Sequence, residues 1–200
     1  MKQAIEQFRA NIERIRALSA TVSAVNRITN NALDLSDVLR TEIVLAVSAL
    51  DHFIHEYVRL GMLEICIGNR SITDSYKKFK IPLRAAHSGQ TMPTNALWLD
   101  EAIREQHSWI SFQEPSRIAD AIRLISSANL WDEVGKDLGK QAKDVKDVLK
   151  LIVDRRNKIA HEADMDPTNP GARWPITQSL AEEAVNNIEA IVESIYNATI

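Results

Sequence analysis

Apolar residues recur at spacings of three and four along most of the chain, the period of helices packed on one side. Over residues 3–28 the series is Ile5, Phe8, Ile12, Ile15, Leu18, Val22 and Val25, with charges between them, and Asn30-Asn31 marks its end. Asp34 or Ser36 caps a second helix, predicted over residues 36–67. Val38, Leu39, Ile43, Val47, Leu50, Phe53, Ile54, Tyr57 and Met62 leave it apolar nearly all round, which marks a central helix packed on several neighbours. A short helix near 71–79, introduced by Ser71 and Thr73, precedes a predicted loop at 80–94 containing Pro82, His87, Gly89 and Pro93. Helical spacing resumes at 94–111, opened by Thr94 or Asn95, and again from Pro115-Ser116. A helical turn at 130–134 and a flexible Gly135–Gly139 segment lead to a helix at 142–163. The stretch from Asp164 to Gly171, with Pro167 and Pro170, breaks that helix, and a last one is predicted over 177–198. No stretch alternates with a strand period. The expected architecture is an all-α helical bundle of four to five core helices with a loop-rich insertion.

Composition narrows the setting. Two hundred residues suit one domain with a proper core, and 45% hydrophobic with 26% charged residues is ordinary for a globular protein. A net charge of −3 excludes tight, indiscriminate coating of nucleic acid but leaves room for a basic cleft. One cysteine, Cys66, excludes an internal disulfide and suits a reducing compartment. With no signal-peptide pattern and no apolar run of membrane-spanning length, a cytoplasmic protein without membrane contact is expected.

The densest chemistry lies in Asp154-Arg155-Arg156-Asn157-Lys158-Ile159-Ala160-His161-Glu162, at the end of an amphipathic run. Histidine can move a proton near neutral pH, and arginine offers a permanently charged fork of donors to phosphoryl oxygens. At roughly 100° per residue, Asn157 and His161 lie about 40° apart on the helix, Asp154 and His161 about 20°, and Arg156 about 140° from His161. Asn157 is therefore placed to steady the imidazole, while Arg156 is placed to meet a group outside the helix.

Arg156-Asn157-Lys158-Ile159-Ala160-His161 resembles the Arg-x4-6-His signature of the HEPN superfamily, all-α domains many of which are metal-independent RNA endonucleases. The segment from Leu39 to Glu56 is similar to the first core helix of a HEPN subgroup associated with toxin and phage-defence loci. The resemblance covers residues 35–198 as a core and leaves 1–33 as an N-terminal helical extension of a single domain. It implies an RNA substrate, no cofactor, no metal, and a homodimer whose two-fold axis brings two motif helices together. Arg156 would then bind and polarise the phosphate, His161 would handle the 2′-hydroxyl or leaving-group proton, and Asn157 would orient His161. Asp51 or Ser48 would brace the motif, with Arg155, Asp154 and Glu162 supporting. HEPN toxins controlled by a nucleotidyltransferase commonly carry a tyrosine two residues after the histidine. Ala163 stands there, which points instead to another antitoxin or a sensor protein.

Other residues admit plainer readings. Asp51, in an apolar helix, suits a structural carboxylate bonded to an arginine or a neighbouring N–H, and His55 a satisfied half-buried histidine. His52, His55 and Glu56 have metal-like spacing, but nothing else converges on them. Lys77, Lys78, Lys80 and Arg84 form either a solvated surface or a phosphate-positioning rim, in which Lys80, Arg84 and Lys158 would contact RNA. Arg104 with His107 is the rival Arg–His pair, at the wrong spacing. The alternative to a nuclease is a non-catalytic HEPN binding or dimerisation module, in which Asp154, Arg155, Arg156 and Glu162 form a structural ion-pair cluster. A small-molecule-binding helical protein would instead require a deep apolar pocket.

Overall fold

The computed structural model describes residues 1–30, 32–91 and 96–200. Among them are nine helices and no strand: α1 (Lys2–Thr29), α2 (Ser36–Cys66), α3 (Asp74–Lys77), α4 (Leu83–Thr91), α5 (Leu97–His107), α6 (Pro115–Ile122), α7 (Leu130–Asp137), α8 (Ala142–Glu162) and α9 (Gln178–Thr199). No helix is long and apolar enough to cross a membrane among the described residues.

The all-round apolar helix is the centre of the bundle. α2 packs on α1, α9, α8, α5 and α6, and buries Ala46, Val47, Leu50, Ile54, Tyr57, Val58 and Met62 completely. α1 lies along α2 and α9 and adds Ile5, Phe8 and Ile12 to the same core. Phe8 meets Phe53 at 5.7 Å between ring centroids, and Phe53 stacks on Tyr57 at 4.9 Å. Helix ends follow their local chemistry. Asn30 closes α1 in the left-handed conformation, the Asp34 carboxylate accepts from the Ser36 N–H at the start of α2, and Thr73 caps α3 through the Tyr76 N–H.

Two expectations need correction. The span 80–94, read as loop, contains α4; residues 92–94, with Thr94 and Asn95 as openers of the next helix, lie outside the described residues. Pro82 sits ahead of the first turn and accepts from the Ala85 N–H, a position where proline starts helices. Gly89 is tolerated inside α4 because Trp98 of α5 packs on it; an added Cβ would lie 2.9 Å from the indole. The flexible segment is also shorter than read. Gly135 belongs to α7 and passes so close to the next turn that a Cβ would come within 2.8 Å of the Lys140 carbonyl oxygen.

Two buried titratable groups give the fold opposing pH dependences. His107 is buried among Phe79, Phe112 and His55, and burial, reinforced by His55, holds its imidazole down at about 4 against an ordinary 6.5. As pH falls below 6.5 the unfolded chain takes up a proton that the folded chain refuses. The resulting loss should reach about 3 kcal/mol near pH 4. Urea midpoints of the parent and His107→Phe should therefore diverge between pH 7 and pH 4.5, with the variant losing less; parallel pH profiles would refute this. Glu42 is wholly buried with neither carboxylate oxygen hydrogen-bonded among the described residues, and burial raises its pKa above the ordinary carboxylate value. Its contribution is intact below that ordinary value and fades as pH rises through the raised one. Glu42→Gln should thus be more stable than the parent at pH 8 but not at pH 4, in the same urea titrations.

Candidate functional site at the end of α8

α8 is held by the core through Val145, Leu149, Ile152 and Val153, and the Asp154–Glu162 string occupies its last turns. The first turns of α2 lie against this end. The structure divides the two adjacent arginines. Arg155 turns inward: its Nη2 donates to Asp164 Oδ2 (2.8 Å) and to the carbonyls of Trp174 (3.3 Å) and Pro175 (3.2 Å). Asp164 is fully buried and also accepts from Arg40 Nε at 2.7 Å, while Arg40 Nη2 reaches the Trp174 carbonyl at 2.8 Å. One carboxylate thus carries two guanidinium groups, from helices far apart in sequence. The site keeps an excess of positive charge.

The same residues shape the helix terminus. Ala163 and Asp164 take φ of 51° and 57°, and the N–H groups of both point to the Lys158 carbonyl, closing the last turn. Met165 and Arg173 then form an isolated antiparallel bridge, the Trp174 N–H donates to the Asp164 carbonyl, and Arg173 pairs with Asp37 at the start of α2. The segment after the motif is therefore tied to both α8 and α2.

Arg156, Asn157 and His161 are left uncommitted. Arg156 and Asn157 are half-buried, His161 is exposed, and none of the three has a hydrogen bond or ion pair among the described residues. The Asn157 amide makes no bond to His161 in this structure. Asp154 is half-buried and Glu162 exposed, both without an ion pair among the described residues, so that among them Arg155 is the string's one ion-paired residue, and its partner lies outside the string. Lys158 is exposed and lies over the Trp174 ring, 5.3 Å from its centroid.

The expected supporting residues go elsewhere. Asp51 accepts from the Phe112 N–H (2.6 Å) and Gln113 Nε2 (3.3 Å), and so braces the segment after α5 instead of α8. The Ser48 side chain is exposed without a hydrogen bond among the described residues. His55 lies 3.1 Å from the Ile110 carbonyl oxygen, and Glu56 pairs with Arg59 and Arg104. The rival pair also dissolves, since Arg104 is bound to Asp100 and Glu56 while His107 is buried. Arg84 pairs with Glu105, whereas Lys80 is exposed and unpaired among the described residues.

The sequence reading passed over Asp164 and Trp174. Asp164 sits in a stretch read only as a helix breaker, beside prolines. A signal was nevertheless present, because Arg40 stands in an otherwise apolar helix and a buried guanidinium requires an anion.

Set against known proteins, the chain matches the family model described as RiboL-PSP-HEPN over residues 9–200. No curated protein and no solved structure matches it.

Proposed function

The chain belongs to the RiboL-PSP-HEPN family, and from that premise we propose that it is an endoribonuclease, working without a metal as a toxin or phage-defence effector. One observation carries the reading: of two neighbouring arginines, one is locked into a buried ion cluster, while Arg156 stays free on the helix that presents His161 to solvent. A purely structural motif would have spent both.

In the proposed reaction a neutral imidazole takes the proton of a ribose 2′-hydroxyl. The 2′-oxygen forms a bond to the adjacent phosphorus, the bond from phosphorus to the 5′-oxygen breaks, and an imidazolium supplies that leaving oxygen with its proton. The products are a 2′,3′-cyclic phosphate, or the 3′-phosphate after hydrolysis, and a free 5′-hydroxyl. The Arg156 guanidinium binds the non-bridging oxygens as their charge grows. One imidazole per chain cannot be both base and acid in a single step, so two copies meeting across a two-fold axis supply the pair. Lys158, and from farther off Lys80 and Arg84, would add phosphate contacts that position the strand. An antitoxin or sensor protein would hold such an activity in check until needed.

Purified protein incubated with total RNA or transfer RNA in EDTA should yield fragments ending in cyclic or 3′-phosphate. His161→Ala and Arg156→Ala should yield none above background. Cleavage that survives both changes, or fails in EDTA and returns with magnesium, would defeat the proposal.

A further inference from the structure

We infer that Asp164 is a positioning residue for the reaction proposed above, and that it acts through the turn following His161; the inference rests on that reading. Among the described residues no bond fixes the His161 side chain, so the place of its imidazole depends on where the backbone of the last turn of α8 is held. That turn runs into two consecutive non-glycine residues in the left-handed region, Ala163 and Asp164, which side-chain-bearing residues occupy only when the surroundings impose it. Asp164 is where the surroundings do so. Its N–H donates to the Lys158 carbonyl (3.0 Å) and its carbonyl accepts from the Trp174 N–H (2.9 Å). Its fully buried carboxylate holds Arg155 from α8 and Arg40 from α2. Five residues before it stands Ile159 of the last turn, partly buried against the core, and just beyond it Met165 bridges to Arg173, so Asp164 lies at the centre of the contacts that hold the turn.

Asp164 also sorts the arginines. Neighbours on a helix diverge by about 100°, so capturing Arg155 beneath the turn leaves Arg156 as the guanidinium free to meet a phosphate. Without the carboxylate, Arg155 and Arg40 repel each other. Arg155 then swings out as a second, misplaced cation, and the last turn loosens under His161.

The test compares the parent with Asp164→Asn and with Arg155→Gln, a milder change that keeps the Arg40–Asp164 pair; Arg155→Lys serves as the conservative rescue. Two readouts are taken at a temperature where each protein is folded: amide hydrogen exchange, and kcat and KM on an oligoribonucleotide. Exchange should quicken across residues 159–165 in Asp164→Asn by at least tenfold more than it does in α9. The kcat should fall by at least thirtyfold while KM stays within threefold. Arg155→Gln should lie between, with Arg155→Lys closer to the parent. Unchanged exchange across 159–165 overturns the inference whether or not the parent cleaves RNA. Faster exchange with kcat unchanged overturns it too, because the brace would then be structural only. A parent inactive on every RNA, with exchange quickened as expected, overturns the nuclease reading instead and leaves the brace on the turn established.

Discussion

Replacing Asp164 by alanine is expected to destabilise the fold by about 3–5 kcal/mol, the cost of breaking a buried ion pair by removing one partner. The geometry puts this site at the upper end of what a single loop residue can do, because Asp164 is fully buried. Arg40 is 5% exposed, and it loses the carboxylate on its Nε while its Nη1 already lacks a hydrogen bond. Arg155 loses, in the same step, the one carboxylate it pairs with among the described residues. Two guanidinium groups are then left close together in a poorly hydrated place, with main-chain carbonyls and, for Arg40, the more distant and exposed Asp37 carboxylate at 3.9 Å to receive them. The size of the loss reflects the orphaned charges more than the worth of the cluster. A triple change of Arg40, Asp164 and Arg155 to Met, Leu and Met should accordingly recover most of the stability, because it removes all three charges at once. Urea unfolding at neutral pH measures both. A loss below about 1 kcal/mol for Asp164→Ala, or a triple variant weaker than the single one, would show that the cluster is solvated and not buried.

This cluster also marks where reading the sequence stops. Periodicity located the long helices to within a residue or two, because each buries one stripe against a common core; the all-round apolar pattern of α2 placed it at the centre. The short helices were harder. α4 holds a glycine in the middle and a proline at its start, and its stability comes from Trp98 packing on Gly89, a contact that no local pattern announces. The resemblance over residues 35–198 gave no place to α1, yet its own period already marked an apolar face, and that face lies on α2 and α9. At the candidate site the motif fixed which helix to watch but not which groups were free. Arg155 and Arg156 are chemically identical neighbours; what separates them is Asp164, nine residues on, and Arg40, on another helix 124 residues earlier than Asp164. Asp51 shows the reverse. A polar residue in an apolar helix admits a bracing role at the motif or a plainer structural one, and its oxygens are taken by the Phe112 N–H and the Gln113 amide.

The free pair carries the second large effect. His161→Ala should lower kcat for RNA cleavage by about 10²–10⁴, the range for removing a positioned acid or base, with KM little changed because an exposed imidazole with no charged partner adds little to ground-state binding. Arg156→Ala should cost about 10²–10³ through lost stabilisation of charge on the phosphoryl oxygens, and it should also raise KM, since a guanidinium attracts phosphate before the reaction begins. Arg156→Lys would keep the charge but lose the planar fork, so KM should recover more than kcat. The two sites differ further in their response to pairing. If the reaction needs an imidazole from each of two copies, mixing parent with excess His161→Ala should suppress activity beyond simple dilution, because mixed dimers hold only one functional histidine between them. Neither change touches the buried cluster, so both variants should unfold in urea within about 0.5 kcal/mol of the parent, as surface substitutions do. Steady-state kinetics on one oligoribonucleotide, run with these unfolding curves, separates the outcomes. Equal effects on kcat and KM for both variants, or activity that merely dilutes on mixing, would mean that Arg156 and His161 only bind RNA, and the family's non-catalytic role would then be the better description of this chain.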